Sequence, residues 1–299
     1  MFVKQKVIAI VGPTASGKSS LGVFLAQKLN GEIISADSRQ VYKGLDIGTG
    51  KVTKAEMGGI PHHLLDVASP KRQFSAGDFE KAGRKAIEKI IKNGHVPIVV
   101  GGTGFYVDAL LGRLTLPDVP PNPALRATLE KKTVEQLFAT LQKLDPARAQ
   151  TIEPEHKRRL IRAIEIAKGP SAKSVAEPVD EETLPEVLYI GISPAPEKLK
   201  KNIHARLLSR MQTGMVNEAK RLHKGGLSYK RMKELGLEYR SLAELLLGEK
   251  SENEMLISLE AAINNYAKRQ YRWFKRNKEI RWITSKSDAL RLAKAFISG

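Results

Sequence analysis

GPTASGKS, residues 12–19, is the stretch on which the fold is decided. Its residues Gly12, Pro13, Thr14, Ala15, Ser16, Gly17, Lys18 and Ser19 satisfy the pattern G-x-x-x-x-G-K-[ST]. The glycines let successive backbone N–H groups turn inward around phosphate oxygens, the lysine adds a mobile charge, and the last hydroxyl can ligand Mg²⁺. Average residue frequencies give a chance match odds on the order of 1% in a chain this long. The surroundings fit as well. VIAIV (7–11) is a β-branched apolar run that reads as a buried strand, and SSLGVFLAQKL (19–29) puts Leu21, Phe24, Leu25 and Leu29 on one helical face. Strand, glycine-rich turn and helix make a phosphate-binding P-loop. The loop does not name a reaction, since it holds phosphate whether that phosphate is substrate, leaving group or effector.

Further along, strand and helix alternate: a strand at 32–36, a helix at 76–92 and a strand at 95–100. Such alternation predicts a parallel sheet with helices on its faces. An ordinary NTPase of this class carries an aspartate at the end of an apolar strand near the metal, whereas HVPIVV here runs into Gly101, Gly102 and Thr103. From Pro117 the character changes. LPDVPPNPALR (116–126) is proline-rich, and two helical stretches follow, at 123–144 and 156–168, with no strand pattern between them. An all-helical insertion is expected at 117–185, splitting a P-loop NTPase-like α/β core into 1–116 and 186–299. It closes on GPSAKSVAEPVDEETLPE (169–186), whose composition suggests an exposed, mobile loop. A strand at 186–192 returns to the sheet, and helices at 197–223 and 252–277 and a short strand at 281–284 complete the chain.

The chain has 299 residues, a formal charge of +18 and no cysteine. Disulfides and a thiol nucleophile are excluded, as are thiolate zinc sites. A basic excess of this size points to a polyanionic partner such as nucleic acid or an anionic membrane surface, the plainer alternative being simple solubility. The apolar run at 7–11 is too short for a signal peptide, and no stretch reads as a membrane span; a soluble, cytoplasmic monomer is expected.

GPTASGKS, ISADSRQVYKGLDIGTGK (34–51), PHHLLD (61–66), FSAGDF (74–79), VGGTGFY (100–106) and YAKRQYRWF (266–274) together resemble the bacterial tRNA dimethylallyltransferases over nearly the whole length. The resemblance implies transfer of a dimethylallyl group from dimethylallyl diphosphate to the N6 amine of the adenosine 3′-adjacent to the anticodon, with Mg²⁺ assisting and diphosphate released. It also implies that the helical insertion grips the tRNA anticodon arm.

Breaking an allylic carbon–oxygen bond builds charge on the departing diphosphate, so donors that strengthen with that charge are needed. Lys18, the loop amides and Mg²⁺ on Ser19 supply them. The resemblance adds Thr103 and, in HARLLSRM (204–211), Arg206; the lesser alternatives are that Thr103 simply finishes a turn and that Arg206 is a solvated helix charge. Adenine N6 is a poor nucleophile whose proton must be taken. Asp37, at the carboxyl end of a strand, is the candidate base, although an aspartate there is by itself more often a turn or cap residue.

By the same resemblance Asp37, Ser38, Arg39, Gln40, Thr103, Arg126, Arg158, Arg159 and Arg162 contact tRNA, with Gln40 reading the extruded base. Arg162 stands three and four residues from its neighbours in RRLIR, which puts it beside both on one helix face. Lys268, Arg269, Arg272, Lys275, Arg276 and Lys278 are expected to face RNA while Tyr271, Trp273 and Phe274 pack inward. His62 and His63 read as structural. Asn264, Asn265, Leu237 and Arg158 depart from the family pattern. Two other readings remain: a small-molecule or nucleoside kinase, and an RNA-binding factor that only hydrolyses nucleotide.

Overall fold

The computed structural model describes residues 5–169 and 184–299. The chain forms two compact units, Met1–Leu114 with Glu182–Gly299, and Thr115–Glu181. The first contains a six-stranded sheet of order β3-β2-β4-β1-β5-β6, with β1 Lys6–Val11, β2 Gly31–Ser35, β3 His62–His63, β4 Val96–Gly101, β5 Glu186–Ile192 and β6 Arg281–Ile283. Every pairing is parallel. Parallel strands end on one edge, so the loops after β1, β2 and β4 open side by side there.

Alternation along β1 divides the core. Val7, Ala9 and Val11 face one layer with Phe79, Tyr106 and Phe274, whereas Ile8 and Ile10 face another with Leu21, Leu25 and Ala293. Both faces of the strand are covered, which is why VIAIV is apolar throughout. The helices of this unit are α1 Lys18–Leu29, α2 Lys54–Met57, α3 Ala76–Lys92, α4 Gly104–Leu110, α9 Pro196–Gln212, α10 Met215–Lys224, α11 Tyr229–Glu234, α12 Leu237–Leu246, α13 Glu252–Lys275 and α14 Lys286–Ser298. Those from α9 to α13 build a third cluster around Leu207, Met215, Tyr239, Leu259 and Ile263.

The second unit holds α5 Pro123–Glu130, α6 Val134–Leu144, α7 Pro146–Thr151 and α8 Lys157–Ala167, packed on Leu129, Leu137, Leu141, Leu160 and Ile164. The single helix expected over 123–144 is two. Thr133 caps α6 in a reciprocal pair with Gln136, which ends the preceding turn and satisfies the new helix's free amides. The helix expected over 197–223 is likewise broken, at Gly214, whose φ of 98° only glycine adopts cheaply. The segment read as a mobile loop lies mostly outside the described residues.

Three quoted motifs are explained by local structure. FSAGDF is the start of α3, where Ser75 and Asp78 form a capping box. In PHHLLD, His63 Nε2 bonds Glu32 at 2.6 Å, and His95 Nδ1 takes the other oxygen of Glu32 at 2.5 Å. Burial of Glu32 opposes its ionisation, but these histidines outweigh it and hold the carboxyl below its usual range. Lys51, at the end of DIGTGK, has its ammonium on Asp46, Asp66 and the Tyr42 carbonyl at 2.6–2.9 Å. No helix among the described residues is long and apolar enough to cross a membrane.

Candidate active site

Gly12 turns the chain out of β1 with φ of 148°, and a Cβ there would lie 2.2 Å from the Ile192 carbonyl oxygen. Only glycine passes so close to β5. Ala15 is held at φ 59°, and its carbonyl accepts from Asn202 Nδ2 of α9 at 3.1 Å. Gly17 then enters α1 in the left-handed region with no side chain capping the helix. The first amides of α1 are thus left for an anion. Ser16 Oγ is buried and has no hydrogen-bond partner among the described residues. Lys18 Nζ donates to the Pro13 carbonyl at 2.5 Å. Partly open to solvent yet ringed by protein, Lys18 has its pKa lowered to about 7, chiefly by burial, then by the nearby Arg206, against an opposing pull from Asp37.

Asp37 follows β2 on the same edge. Its Oδ1 accepts from the Arg39 amide at 2.8 Å and the Gln40 amide at 3.3 Å, while Oδ2 has no hydrogen-bond partner among the described residues. Asp37 thus closes a turn through Oδ1 and still presents its second oxygen at the edge. Thr103 follows β4. It precedes α4, but its hydroxyl does not cap that helix; Oγ1 accepts from the Ser38 amide at 3.1 Å, tying the two loops together. The Tyr266 hydroxyl lies beside the Thr103 side chain, and its pKa is pushed up to about 12 by burial and then by the charge of Asp37. It is a neutral donor at ordinary pH.

Arg206 reaches this edge from α9 and donates to the Gly50 carbonyl at 2.7 Å; Gln40 Nε2 reaches the same oxygen at 3.4 Å. Burial, then Arg210, lowers the guanidinium pKa. Lys18, Asp37 and Arg206 are close enough that each cation feels the carboxylate. The loop carrying Gly48 and Gly50 is fixed from below by Glu218, which is buried and accepts three of its amides.

The family model described as IPP transferase matches residues 40–277. The chain belongs to the IPP transferase family. A tRNA dimethylallyltransferase 2 of Syntrophotalea carbinolica is 41% identical over 297 residues, covering 98% of this chain and 99% of its own. A tRNA dimethylallyltransferase of Anoxybacillus flavithermus is 37% identical over 296 residues, covering 96% and 92%. Among solved structures, a tRNA isopentenylpyrophosphate transferase of Bacillus halodurans aligns with a TM-score of 0.73 at 35% identity, covering 99% and 96%. A eukaryotic dimethylallyltransferase, described as acting on tRNA, aligns at 0.83 with 28% identity, covering 98% of this chain and 80% of the other. These relatives favour prenyl transfer over the kinase reading.

In this IPP transferase the helical unit carries its own charge cluster. Glu165 is buried on α8 and accepts from Arg126 Nε at 2.9 Å and Nη2 at 2.7 Å, from Arg162 Nη1 at 2.5 Å and from the Asn122 amide at 2.6 Å. Burial raises its pKa, but these donors win and bring it down to about 2. Arg159 pairs with Glu153 instead. Arg162 is therefore bound to Arg126 through Glu165, while Arg159 turns to a different carboxylate.

On α13, Phe274 is buried and Trp273 is half-buried under the Arg276 guanidinium at 4.0 Å. Tyr271 departs from the expected inward packing. It is exposed and leans on the exposed Trp282 at 5.5 Å between ring centroids, because its helix face turns away from the sheet that buries Phe274. Of the departures from the family pattern, Asn264 bonds back to the Glu260 carbonyl of its own helix and Leu237 opens α12.

Sequence reading missed Glu165, Glu218, Tyr266 and Gln270. Glu165 and Glu218 each sit among apolar helical neighbours, a pattern that marks a buried carboxylate in need of donors.

Proposed function

We propose that this chain transfers a dimethylallyl group from dimethylallyl diphosphate to the N6 amine of the adenosine 3′-adjacent to the anticodon in tRNA. One observation carries the reading: an anion-binding loop, a carboxylate and a half-buried guanidinium converge on one sheet edge, where β4 runs into Gly101, Gly102 and Thr103. The allylic carbon–oxygen bond breaks and its electron pair leaves on diphosphate. The N6 lone pair forms the new carbon–nitrogen bond, and its proton passes to Asp37. Lys18, Arg206, the loop amides and the Thr103 hydroxyl stabilise the charge on the leaving group, where donors already oriented are worth most.

The residues also fit Mg²⁺. Ser19 exposes a hydroxyl in the first turn of α1, and the unpartnered Ser16 Oγ adds a second oxygen to the loop. The ion, when bound, would neutralise part of the diphosphate charge. For tRNA, the segment Asp37, Ser38, Arg39 and Gln40 is assigned to the extruded base, since chemistry on a base requires it to leave the stack. Arg126, Arg158, Arg159 and Arg162 are assigned to the anticodon arm, with Glu165 holding two of them in a fixed fork. The enzyme is assigned to the cytoplasm as a monomer.

The test is incubation with unmodified tRNA, Mg²⁺ and dimethylallyl diphosphate, followed by mass analysis of the nucleosides. A dimethylallyl adenosine beside the anticodon is expected; its absence would overturn the reading.

Lys18 gives a second expected result. A diphosphate restores the ammonium form that burial disfavours, so binding of inorganic diphosphate near pH 8 takes up a proton. Titration calorimetry in buffers of different ionisation heat should show this as a buffer-dependent enthalpy. The same buffer dependence in Lys18→Met would remove Lys18 as the group that takes up the proton.

A further inference from the structure

Gln270 lies on α13, buried among the loops of the sheet edge. Its Oε1 accepts from the Thr14 amide of the P-loop at 2.8 Å, and its Nε2 donates to the Gly102 carbonyl at 2.8 Å. The fit is tight: a Cβ on Gly102 would come within 2.3 Å of Nε2. One side chain thus joins the loop that cradles phosphate to the loop that carries Thr103, and both its ends are used. Thr14 has one amide hydrogen, so that donor is committed to Gln270 and is withdrawn from any anion. The neighbours Lys268, Arg269, Tyr271 and Arg272 on the same helix are exposed.

We propose that Gln270 is a positioning residue that sets the spacing between the diphosphate cradle and the Thr103–Asp37 arm, through its paired bonds to Thr14 and Gly102. This rests on the prenyl-transfer reading for its kinetic consequence, but not for its effect on anion binding. Displacement of reacting groups by about 1 Å costs rate on the order of 100-fold. The chemistry of the two bonds supplies a test that packing alone would not answer. Protonated glutamate is isosteric with glutamine, its carbonyl accepting from Thr14 and its O–H donating to Gly102. Ionised glutamate keeps the first bond and sets a negative oxygen against the Gly102 carbonyl. Charged and titratable groups at this edge include Lys18 on the P-loop, Asp37 and Arg39 after β2, Arg206 on α9 and Tyr266 on α13 itself.

Gln270→Leu and Gln270→Glu are compared with the parent chain in Mg²⁺, from pH 5.5 to 8.5. Single-turnover prenyl transfer and binding of inorganic diphosphate are both measured, with thermal melting to confirm folding. Gln270→Leu is expected to lose roughly 10- to 100-fold in the chemical step at every pH. Gln270→Glu, expressed as a ratio to the parent, is expected to approach it at low pH and to fall at least about tenfold as its carboxyl ionises, with diphosphate affinity falling in parallel. A ratio that does not change with pH, or a folded Gln270→Leu with the parent's rate, overturns the proposal. If the parent itself transfers no prenyl group, the prenyl-transfer reading fails, and the pH dependence of diphosphate binding still decides for or against Gln270.

Discussion

Asp37→Asn is expected to slow the chemical step of prenyl transfer by roughly 100-fold or more, because a positioned base contributes on that order. The substitution is nearly isosteric. The oxygen that accepts from Arg39 and Gln40 has a counterpart in asparagine, so the turn after β2 is retained. What is lost is the second oxygen, Oδ2, which has no partner among the described residues and is replaced by an amide that can only donate. The variant should therefore still bind tRNA. Single-turnover rates at saturating substrate, beside filter binding of tRNA, separate the two effects. Unchanged turnover would take the base role away from Asp37, whereas a loss confined to tRNA affinity would make it a docking residue.

The parts of this site that were legible in the sequence are those written contiguously. The P-loop is one stretch of eight positions, and its chemistry depends on backbone turns that Gly12 and Gly17 announce. Asp37 and Thr103 follow apolar strands, so the parallel sheet by itself puts them beside the loop. Gln270 could not be read this way. It stands 256 positions from its Thr14 partner and 168 from Gly102, in a run of cations and aromatics that suggests a solvent face. Its burial comes from the packing of α13 against the loops after β1 and β4, which spacing does not record. Tyr266 is hidden for the same reason one turn earlier. The break between α5 and α6, by contrast, was written locally. TVEQ at Thr133 is a capping box, and its amphipathic surroundings masked it.

Glu218→Ala carries the largest expected loss of stability. The carboxylate is 1% exposed on α10, and it accepts from the amides of Asp46, Ile47 and Gly48 at 3.0, 2.8 and 2.9 Å and from the Tyr239 hydroxyl at 2.6 Å. Alanine leaves three amides and a buried phenol without their acceptor, and each orphaned buried donor costs about 1–3 kcal/mol. Relaxation and water entry recover part of this, so a net loss of about 3–5 kcal/mol is expected, as when one partner of a buried charged network is removed. Urea unfolding followed by circular dichroism measures it; a change under about 0.5 kcal/mol, the level of an ordinary surface substitution, would show that the loop holds itself. The consequence reaches the site through the carbonyls of the same loop. Gly48 holds Arg210 at 2.7 Å and Gly50 holds Arg206 at 2.7 Å. Two arginines beside each other repel, and this pair of oxygens holds them in place together with Glu238, which pairs with Arg210 at 3.3 Å. Glutamine at 218 is no rescue, since its NH₂ would confront amide donors, whereas aspartate keeps the charge and shortens the reach. Diphosphate affinity should accordingly rank parent, Glu218→Asp, then Glu218→Gln, an order set by acceptor chemistry at a residue that never touches the anion.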